Sequence, residues 1–429
     1  SSTSRGLGDV YKRQTLCGPD ASESDCLAAL RTFRHRHMVR IVWREVAQLA
    51  TVEDAFAELS GLADCCIRAA VAFAVAALRP KYGLPIGQES GDEQSLVVLA
   101  MGKLGGNELN LSSDIDLIFA YPEAGETEGG KQRLANQTYF VRLGQLVIRL
   151  LDAVTEDGFA FRVDMRLRPY GDSGALVGAF SALELYYQEQ GREWERYAMV
   201  KARPITGTAA AKTSLMAVLS AFVYRRYTDF SVIAALRSMK SMMRAEVTRL
   251  GIEADVKRGS GGIREIEFIA QSLQLIHGGR MPALRLQSLL PTLQTLMQAD
   301  VLSTQQAQRL SDHYRLLRRV EHGLQGMADR QTQALPTEPL DKAKLAILVG
   351  YGSWEALDGE LVGARGEVDA VFSDLIADPN DQSSNELVAS QTRFSALNAE
   401  TLTVLGYRHP DLTWETVGSL LDSLSLIHI

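Results

Sequence analysis

The spacing of apolar residues changes character twice along the chain. Over residues 25–78 apolar side chains recur every three or four positions with few helix breakers, which predicts a helical N-terminal region. Short apolar or alternating runs predominate over 96–167, and beyond 209 only helical spacing remains. The pattern predicts an α+β fold, in which a small mixed sheet is flanked by N-terminal helices and a C-terminal helical bundle.

The central region is expected to contain three strands, which are residues 96–101, 114–121 and 159–167. A long amphipathic helix is predicted over 132–157, between the second and third strands. Segments 81–94 and 125–130, rich in Gly and acidic residues, are predicted to be a loop and a turn. The later helical patterns run from 209 through 247 and over 263–276, 289–297, 305–327 and 340–376.

Charge and hydropathy argue against some classes of function. The chain has 45 Lys and Arg against 52 Asp and Glu, a formal net charge of −7, which argues against binding to a nucleic-acid backbone. The longest apolar stretch, residues 69–78, is far shorter than the roughly 20 residues that span a bilayer. Since no signal-peptide pattern is present either, we expect a cytoplasmic protein that binds no membrane and acts on a small molecule or another protein.

All four cysteines lie near the start of the chain, at Cys17, Cys26, Cys65 and Cys66. They lack the C-x-x-C spacing of redox or zinc motifs, so they are expected to be reduced, structural thiols. The two ends, residues 1–14 and 423–429, resemble translated adapter sequence. We interpret both as non-native tails and exclude them from the fold prediction.

Two aspartates mark the first candidate site. Asp114 and Asp116 are two residues apart on a predicted strand, so their side chains share one face of the sheet. Because neighbouring carboxylates repel each other, such a pair favours a bound cation, and hard oxygen ligands beside substrate phosphates suit Mg²⁺. An Asp-x-Asp pair alone is a weak indication of a metal site.

Upstream of these aspartates is a glycine-rich turn. Gly105 and Gly106 allow close approach of an anion to the backbone, whose N–H groups can bind phosphate. Ser112 and Ser113 add hydroxyl donors. This combination predicts a phosphate-binding segment directly before the carboxylates.

The third predicted strand adds a carboxylate among arginines. Alternation places Arg162, Asp164, Arg166 and, at the end of the run, Arg168 on one face. Such a face can hold a metal ion beside phosphate oxygens, or it can be a solvated surface neutralised by its own salt bridges. Together with Asp-x-Asp and the glycine turn, it favours a two-metal nucleotidyl-transfer site.

The order and content of five segments resemble the bacterial glutamine synthetase adenylyltransferase/adenylyl-removing enzymes, within the DNA polymerase beta-like nucleotidyltransferase superfamily. The similarity spans about residues 25–375 and matches the N-terminal half of that family. The segments are Leu30-Arg-Thr-Phe-Arg-His-Arg-His, Leu104-Gly-Gly-Asn-Glu-Leu-Asn-Leu-Ser-Ser-Asp-Ile-Asp-Leu-Ile-Phe, Phe161-Arg-Val-Asp-Met-Arg-Leu-Arg-Pro, Trp194-Glu-Arg-Tyr-Ala-Met-Val-Lys-Ala-Arg and Gly261-Gly-Ile-Arg-Glu-Ile-Glu-Phe-Ile.

The resemblance implies a longer, bifunctional protein with two nucleotidyltransferase domains. In this family the C-terminal domain attaches AMP from ATP to a tyrosine of glutamine synthetase. The N-terminal domain removes that AMP by phosphorolysis and releases ADP, and the PII signalling protein and glutamine regulate the family. By this resemblance the catalytic and metal ligands are Asp114, Asp116 and Asp164, and the groups that orient the phosphates are Arg166, Arg168, Lys201 and Arg203.

The resemblance also suggests a domain division. A helical region over 15–90 precedes a nucleotidyltransferase core over 91–208, and a helical bundle follows over 209–377. Residues 378–422 are interpreted as a linker and the start of a further element. A second glycine-rich segment, 257–262, is as consistent with a flexible connection as with an anion-binding helix start, and His277 and His322 are expected to be packed or solvated rather than catalytic.

Two other functions stay open. The domain could transfer a nucleotide from a triphosphate to a protein or small molecule, as uridylyltransferases of nitrogen signalling do. It could also be a non-catalytic regulatory module, although the presence of all three carboxylates argues against this.

Overall fold

The computed structural model describes residues 16–18, 21–225, 230–328 and 332–374 of the chain. The segments interpreted as tails and the segment 378–422 lie outside the described residues. Helices and short strands are the only regular elements of the described part, and the α+β prediction is confirmed.

Two long helices form the N-terminal region, α1 (Glu23–Val46) and α2 (Val52–Tyr82). Each begins with a reciprocal capping box, made by Ser22 with Asp25 in α1 and by Thr51 with Asp54 in α2. Such boxes satisfy backbone N–H groups that a helix start otherwise leaves unpaired. The predicted helical region is therefore confirmed, with a break between the two helices.

Helix α2 is the one helix of the described residues that is long and apolar enough, by length and composition, to cross a membrane. It also carries Glu58 and Asp64, both largely buried, which form ion pairs with Arg44 and Arg203. Leu59, Leu62 and Ala63 of this helix are buried in the main hydrophobic core. These contacts are those of a core helix packed within the protein.

The main sheet has five strands, β2 (Val97–Ala100), β3 (Ile115–Tyr121), β5 (Val163–Asp164), β6 (Val177–Ala179) and β7 (Arg203–Pro204). Their order is β5-β3-β2-β7, and β6 also pairs with β3. The β2 strand is antiparallel to β3 and β7, whereas β5 and β6 are parallel to β3. Because β2 occupies one edge of β3, both β5 and β6 lie along its other edge.

A separate antiparallel pair joins β1 (Gly83–Gly87) to β4 (Gly125–Gly129). The predictions of a loop over 81–94 and a turn over 125–130 are wrong for these residues. Gly, Pro and Glu have low strand propensity, and here the strands form because their backbones pair across a long separation in sequence, as Gly83 does with Gly129.

The third predicted strand is much shorter than expected, since only two residues of 159–167 pair with β3. After Asp164 the chain turns, with the Arg168 N–H donating to Met165 O at 3.2 Å. The predicted helix over 132–157 is observed as α4 (Asn136–Asp152). This helix packs closely on the sheet at Gly144. A Cβ at that position would lie 2.9 Å from the Phe119 ring.

A single turn of helix, α3 (Gly102–Gly105), follows β2. All regular elements of the described residues after 209 are helical, as predicted. The expected helix over 340–376 is divided at Gly350, whose φ of +93° ends the first part. The helices are α5 (Phe180–Glu189), α6 (Glu193–Met199), α7 (Ala209–Val223), α8 (Phe230–Leu250), α9 (Ile263–His277), α10 (Leu289–Gln298), α11 (Thr304–Ala328), α12 (Pro339–Val349) and α13 (Trp354–Asp374).

The cysteines differ from the prediction of four reduced thiols. Cys17 and Cys26 form a disulfide, because the segment 16–18 lies against the start of α1 and brings the two Cα atoms within 5.2 Å. Cys65 and Cys66 are buried thiols of α2 and lie outside this disulfide. Burial raises the pKa of both thiols, which is consistent with the expected structural role.

Candidate nucleotidyl-transfer site

The candidate site begins at the paired ends of β3 and β5. Asp116 and Asp164 are direct Cα partners in this parallel pair, as are Ile115 and Val163. Partners in register project to the same face of a sheet, so the two carboxylates are neighbours. Two of the three predicted carboxylates are therefore brought together by backbone pairing.

Two of the three carboxylates are held by arginines. Arg162 Nε donates to Asp114 Oδ1 at 2.5 Å, and its Nη2 donates to the Ser112 carbonyl at 3.3 Å. Asp164 accepts from the Arg166 backbone N–H at 2.8 Å and from the Arg166 guanidinium. These arginines neutralise Asp114 and Asp164 in part.

The charge balance at Asp116 is different. Burial and then the neighbouring Asp164 raise its pKa to about 6, and Lys257 and Arg166 only partly offset them. Burial also acts to raise the pKa of Asp164, but its hydrogen bonds from Arg166 outweigh burial and hold that pKa below the ordinary value. The negative charge of Asp116 is therefore disfavoured by its surroundings, whereas that of the neighbouring Asp164 is favoured by Arg166.

Gly102 is a site residue that the sequence analysis did not identify. Its φ is +52°, and a Cβ at this position would lie 2.7 Å from Asp116 Oδ2. The Met101 N–H donates to the Asp116 carbonyl at 2.9 Å, which ties the same turn to β3. Close approach of the carboxylate to the backbone therefore requires glycine here. A glycine directly after a buried strand was the available signal.

The predicted phosphate-binding glycines serve a packing role in this structure. A Cβ at Gly105 would lie 2.0 Å from the Lys201 carbonyl oxygen, and one at Gly106 would lie 2.9 Å from Glu108 Oε2. Ser112 is buried, with its N–H donating to Gln325 Oε1 at 3.0 Å, and Ser113 is half-buried. Phosphate binding by these four residues stays a prediction.

Three of the predicted phosphate-orienting groups are engaged in internal contacts. Lys201 is buried and pairs with Glu267 at 2.6 Å and Glu108 at 3.2 Å. Arg203 pairs with Asp64 at 2.8 Å. Arg168 donates to the Met165 carbonyl at 2.8 Å and stabilises the turn after β5. Among the four groups predicted to orient phosphates, Arg166 contacts a predicted site carboxylate, Asp164, in the described structure.

A buried ionic network that was not predicted connects this region to α11. Lys103 Nζ lies 2.8 Å from Glu321 Oε1, and Arg318 Nε lies 3.1 Å from Glu321 Oε2. Burial lowers the pKa of Lys103 to about 7 despite the attraction of Glu321. Burial acts to raise the pKa of Glu321, but Lys103 and Arg318 hold it well below its ordinary range. The turn that contacts Asp116 is thereby anchored to the helical bundle.

The glycine-rich segment 257–262 is packed rather than open. A Cβ at Gly261, whose φ is +68°, would lie 2.0 Å from the Arg365 carbonyl oxygen. The Gly261 N–H donates to Glu265 Oε2 at 2.8 Å, so α9 supplies an acceptor to its own N-terminal turn. This N–H group is not available to an external anion, which favours the interpretation of the segment as a connection.

The donors available for Mg²⁺ match its chemistry, since three carboxylates lie at or beside the paired strand ends. As the side chains stand, no cluster of three His, Cys, Asp or Glu in the described residues is arranged to hold a metal. Asp114 and Asp164 contact arginines instead. The raised pKa of Asp116 is the observation that favours a cation at this position, and Mg²⁺ binding stays a prediction.

Comparison with known proteins shows which family the chain resembles. Residues 12–218 match the family model for glutamate-ammonia ligase adenylyltransferase, and residues 236–376 match that for GlnD PII-uridylyltransferase. A bifunctional glutamine synthetase adenylyltransferase/adenylyl-removing enzyme from Pseudomonas aeruginosa is 51% identical over 366 residues, which are 85% of this chain and 37% of the relative.

The enzyme of the same description from Nitrosococcus oceani is 49% identical over 414 residues, which are 95% of this chain and 43% of that relative. A third, from Pseudomonas putida, is 51% identical over 361 residues. The chain spans less than half the length of these relatives. The range matched by the first family model, residues 12–218, contains the positions of Asp114, Asp116 and Asp164.

Proposed function

Because the chain belongs to the family of the glutamine synthetase adenylyltransferase/adenylyl-removing enzymes, we propose that it removes AMP from an adenylylated tyrosine of glutamine synthetase. In this proposal inorganic phosphate attacks the phosphorus of the tyrosyl-AMP, the bond to the tyrosyl oxygen breaks, and the products are ADP and the unmodified synthetase. The observation that carries the proposal is the register pairing of Asp116 with Asp164 beside two arginines.

The reaction suits these residues because both reactants are anions. An attacking phosphate needs no strong base, so the main requirement is to bring two negative groups together in line. Arg162 and Arg166 each hold a carboxylate in the described structure and are half exposed. Arg binds carboxylates and phosphates in the same bidentate geometry. Each arginine could therefore release its carboxylate and bind phosphate oxygens of a substrate instead.

We propose that Asp114, Asp116 and Asp164 hold Mg²⁺ once the arginines turn to the phosphates. When bound, Mg²⁺ would neutralise phosphate charge and stabilise the departing tyrosyl oxygen, which in free tyrosine has a pKa of about 10. Asp116 is the strongest candidate ligand, because burial and Asp164 raise its pKa.

The proposed partners follow from the same family membership. They are adenylylated glutamine synthetase, phosphate with ADP or ATP, and the PII signalling protein, in the cytoplasm. Similarity of residues 236–376 to a PII-uridylyltransferase family supports the involvement of PII.

The test uses purified protein, Mg²⁺, phosphate and glutamine synthetase carrying radiolabelled AMP on tyrosine. We expect labelled ADP to form only when phosphate is present and to be lost in an Asp114→Ala variant. Labelled AMP formed without phosphate would contradict phosphorolysis, whereas an undiminished rate in Asp114→Ala would contradict the site.

A second function is nucleotidyl transfer from a triphosphate to a protein, which the similarity to PII-uridylyltransferases supports. Attack by tyrosine and attack by phosphate would use the same carboxylates. Incubation of the purified chain with labelled ATP or UTP and with unmodified glutamine synthetase or PII distinguishes the two functions. Labelled protein in this assay, without ADP release in the first, would favour transfer onto the partner.

A further inference from the structure

The loop after Asp164 presents an aromatic side chain in an uncommon backbone conformation. Tyr170 has a φ of +60°, in the left-handed region that is unfavourable for a bulky side chain. The other described non-glycine residues with a positive φ are the polar Gln48, Asn107 and Asp300. Backbone strain of this kind is concentrated at functional sites. Tyr170 is also 62% exposed, so burial of its ring does not account for the conformation.

Three successive turns hold this loop in one shape. In each turn a backbone N–H donates to the carbonyl group three residues earlier, over distances between 2.8 and 3.2 Å, and the donors are Arg168, Gly171 and Gly174. The Ser173 hydroxyl also donates to the Tyr170 carbonyl at 2.8 Å. The strained conformation is therefore maintained by the hydrogen bonds of the surrounding backbone, and the ring is held outward in a fixed position.

A second tyrosine supports the ring of Tyr170. The ring centroids of Tyr170 and Tyr186 are 4.7 Å apart with an interplanar angle of 67°, which is an edge-to-face contact. The Tyr186 hydroxyl donates to Glu195 Oε1 of α6 at 2.8 Å, and this bond anchors the supporting ring. Because Tyr170 is 62% exposed despite the contact, much of its ring is open to a ligand.

The same loop connects this ring to the candidate transfer site. A Cβ at Gly171, the residue after Tyr170, would lie 3.7 Å from the Arg166 carbonyl oxygen. Arg166 in turn donates its backbone N–H to Asp164 at 2.8 Å and its guanidinium Nε–H at 2.9 Å. One short, hydrogen-bonded segment therefore carries a carboxylate and an arginine of the site together with an exposed aromatic ring.

We propose that Tyr170 is the platform on which the purine base of the nucleotide stacks while its phosphate lies at the carboxylates. The inference rests on the proposed function, since it requires a nucleotide at Asp116 and Asp164. An exposed aromatic ring suits a flat base, and such stacking strengthens binding by roughly 5- to 150-fold. Because the loop already holds the ring in place, little ordering of the protein opposes the contact.

The experiment compares two ligands that differ by the base. AMP and ribose 5-phosphate are titrated calorimetrically into the purified chain with Mg²⁺, up to about 10 mM. We expect AMP to bind at least about fivefold more tightly than ribose 5-phosphate. Tyr170→Ala should weaken AMP binding by about tenfold and leave ribose 5-phosphate binding unchanged. Tyr170→Phe keeps the ring and should retain the AMP affinity within about twofold.

A surface control and a second variant complete the set. Leu185→Ala removes another exposed apolar side chain, on α5, and should leave AMP binding unchanged, because Leu185 is 55% exposed and is not on the loop. Circular dichroism verifies the fold of each variant. If Tyr170→Ala does not fold, Tyr170→Gly takes its place, since glycine adopts a positive φ without strain.

Three results of the titrations would overturn the inference. These are equal affinities of the two ligands for the unsubstituted chain, an AMP affinity that Tyr170→Ala leaves intact, and equal weakening of both ligands by Tyr170→Ala. The second result, joined to a lower rate with adenylylated glutamine synthetase, would assign Tyr170 to a contact with the protein substrate. The third would show that the residue acts through the shape of the loop.

The phosphorolysis assay separates failure of this inference from failure of the proposed function. We expect Tyr170→Ala to lower kcat/KM for ADP release by about tenfold and Tyr170→Phe to keep it. ADP release by the unsubstituted chain that Tyr170→Ala leaves undiminished would overturn the inference alone. If the unsubstituted chain neither binds AMP nor releases ADP, the proposed function fails and the inference fails with it.

Discussion

Asp116 and Asp164 face each other in register across β3 and β5, and burial together with the charge of Asp164 raises the pKa of Asp116 to about 6. A protein selected for stability alone would not keep this pair, since like charges at neighbouring positions of a sheet are destabilising. We therefore expect a bound cation or substrate to supply the compensation that Asp116 lacks.

Replacement of Asp116 should therefore lower the activity without lowering the stability. Asp116→Asn keeps the shape of the side chain and removes its charge, so we expect the unfolding free energy to stay equal or to rise by up to about 2 kcal/mol. In the proposed reaction, the rate of ADP release from adenylylated glutamine synthetase should fall at least about 100-fold. Urea unfolding and the phosphorolysis assay measure the two effects.

Asp172→Asn is the control for this substitution, because that side chain is 80% exposed. It should leave both quantities unchanged. An Asp116→Asn protein that is less stable but fully active would show that Asp116 has a structural role instead.

Gly102 should be required for the position of the Asp116 carboxylate. Gly102→Ala places a Cβ 2.7 Å from Asp116 Oδ2 at a φ of +52°. We expect a loss of about 1–2 kcal/mol in unfolding free energy from backbone strain, and a fall of about 100-fold in the transfer rate from displacement of the carboxylate.

Gly251→Ala separates these two effects. Gly251 has a similar φ of +59°, but a Cβ there would have no neighbour within 4 Å. The control should lose similar stability and keep its activity. Equal activity losses in both variants would mean that backbone strain, and not the position of Asp116, limits the rate.

The sequence was sufficient for the elements whose determinants are local. Helices α1 and α2 follow from apolar spacing with Ser22 and Thr51 as caps, and β2 and β3 follow from buried apolar runs. The pairing of Asp116 with Asp164 agrees with the common face assumed for the predicted site. The helices and the apolar strands depend on residues a few positions apart, where periodicity carries the information, whereas the pairing of Asp116 with Asp164 joins two strands that are distant in the sequence.

The partners of charged side chains could not be predicted in the same way. Arg203 was expected to orient phosphate, but its partner is Asp64, 139 residues away, and Lys103 pairs with Glu321 across 218 residues. Alternation along one strand indicates which face a side chain occupies, but does not identify the charge that another element brings to it. The β1–β4 pair was missed for the same reason, since its Gly and Glu residues become a strand only through a distant partner.

Replacement of Glu321 should lower the unfolding free energy more than replacement of its partner Lys103. Glu321→Gln leaves two buried cations, Lys103 and Arg318, without their counter-charge, so we expect a loss of about 3–5 kcal/mol in unfolding free energy. Lys103→Met leaves Glu321 still paired with Arg318 at 3.1 Å, and the loss should be smaller, about 1–3 kcal/mol.

Urea unfolding measures both variants of this network. Lys344→Met serves as a surface control, because its pair with Asp341 is about half exposed and such pairs contribute less than about 1 kcal/mol. A loss from Lys103→Met that exceeds the loss from Glu321→Gln would contradict the assignment of Glu321 as the shared centre of the network.

The start of α9 should make stability depend on pH. Glu265 is buried, and burial raises its pKa from 4.5 to about 7, although the Gly261 N–H acts in the opposite direction. A carboxyl whose pKa is higher in the folded state binds its proton more tightly there. Its contribution to stability is therefore complete below about pH 4.5 and is lost as the pH rises through about 7.

Glu265→Gln keeps an oxygen acceptor for the Gly261 N–H, 2.8 Å from the native carboxylate, and removes the titration. We expect the unfolding free energy of the variant, relative to the unsubstituted chain, to rise by about 3 kcal/mol between pH 4.5 and pH 8. Urea unfolding at several pH values in that interval measures this difference, in which the titrations common to both proteins cancel. A difference that does not change with pH would mean that Glu265 stays ionised in the folded protein and that Arg244 and Arg365 compensate its burial.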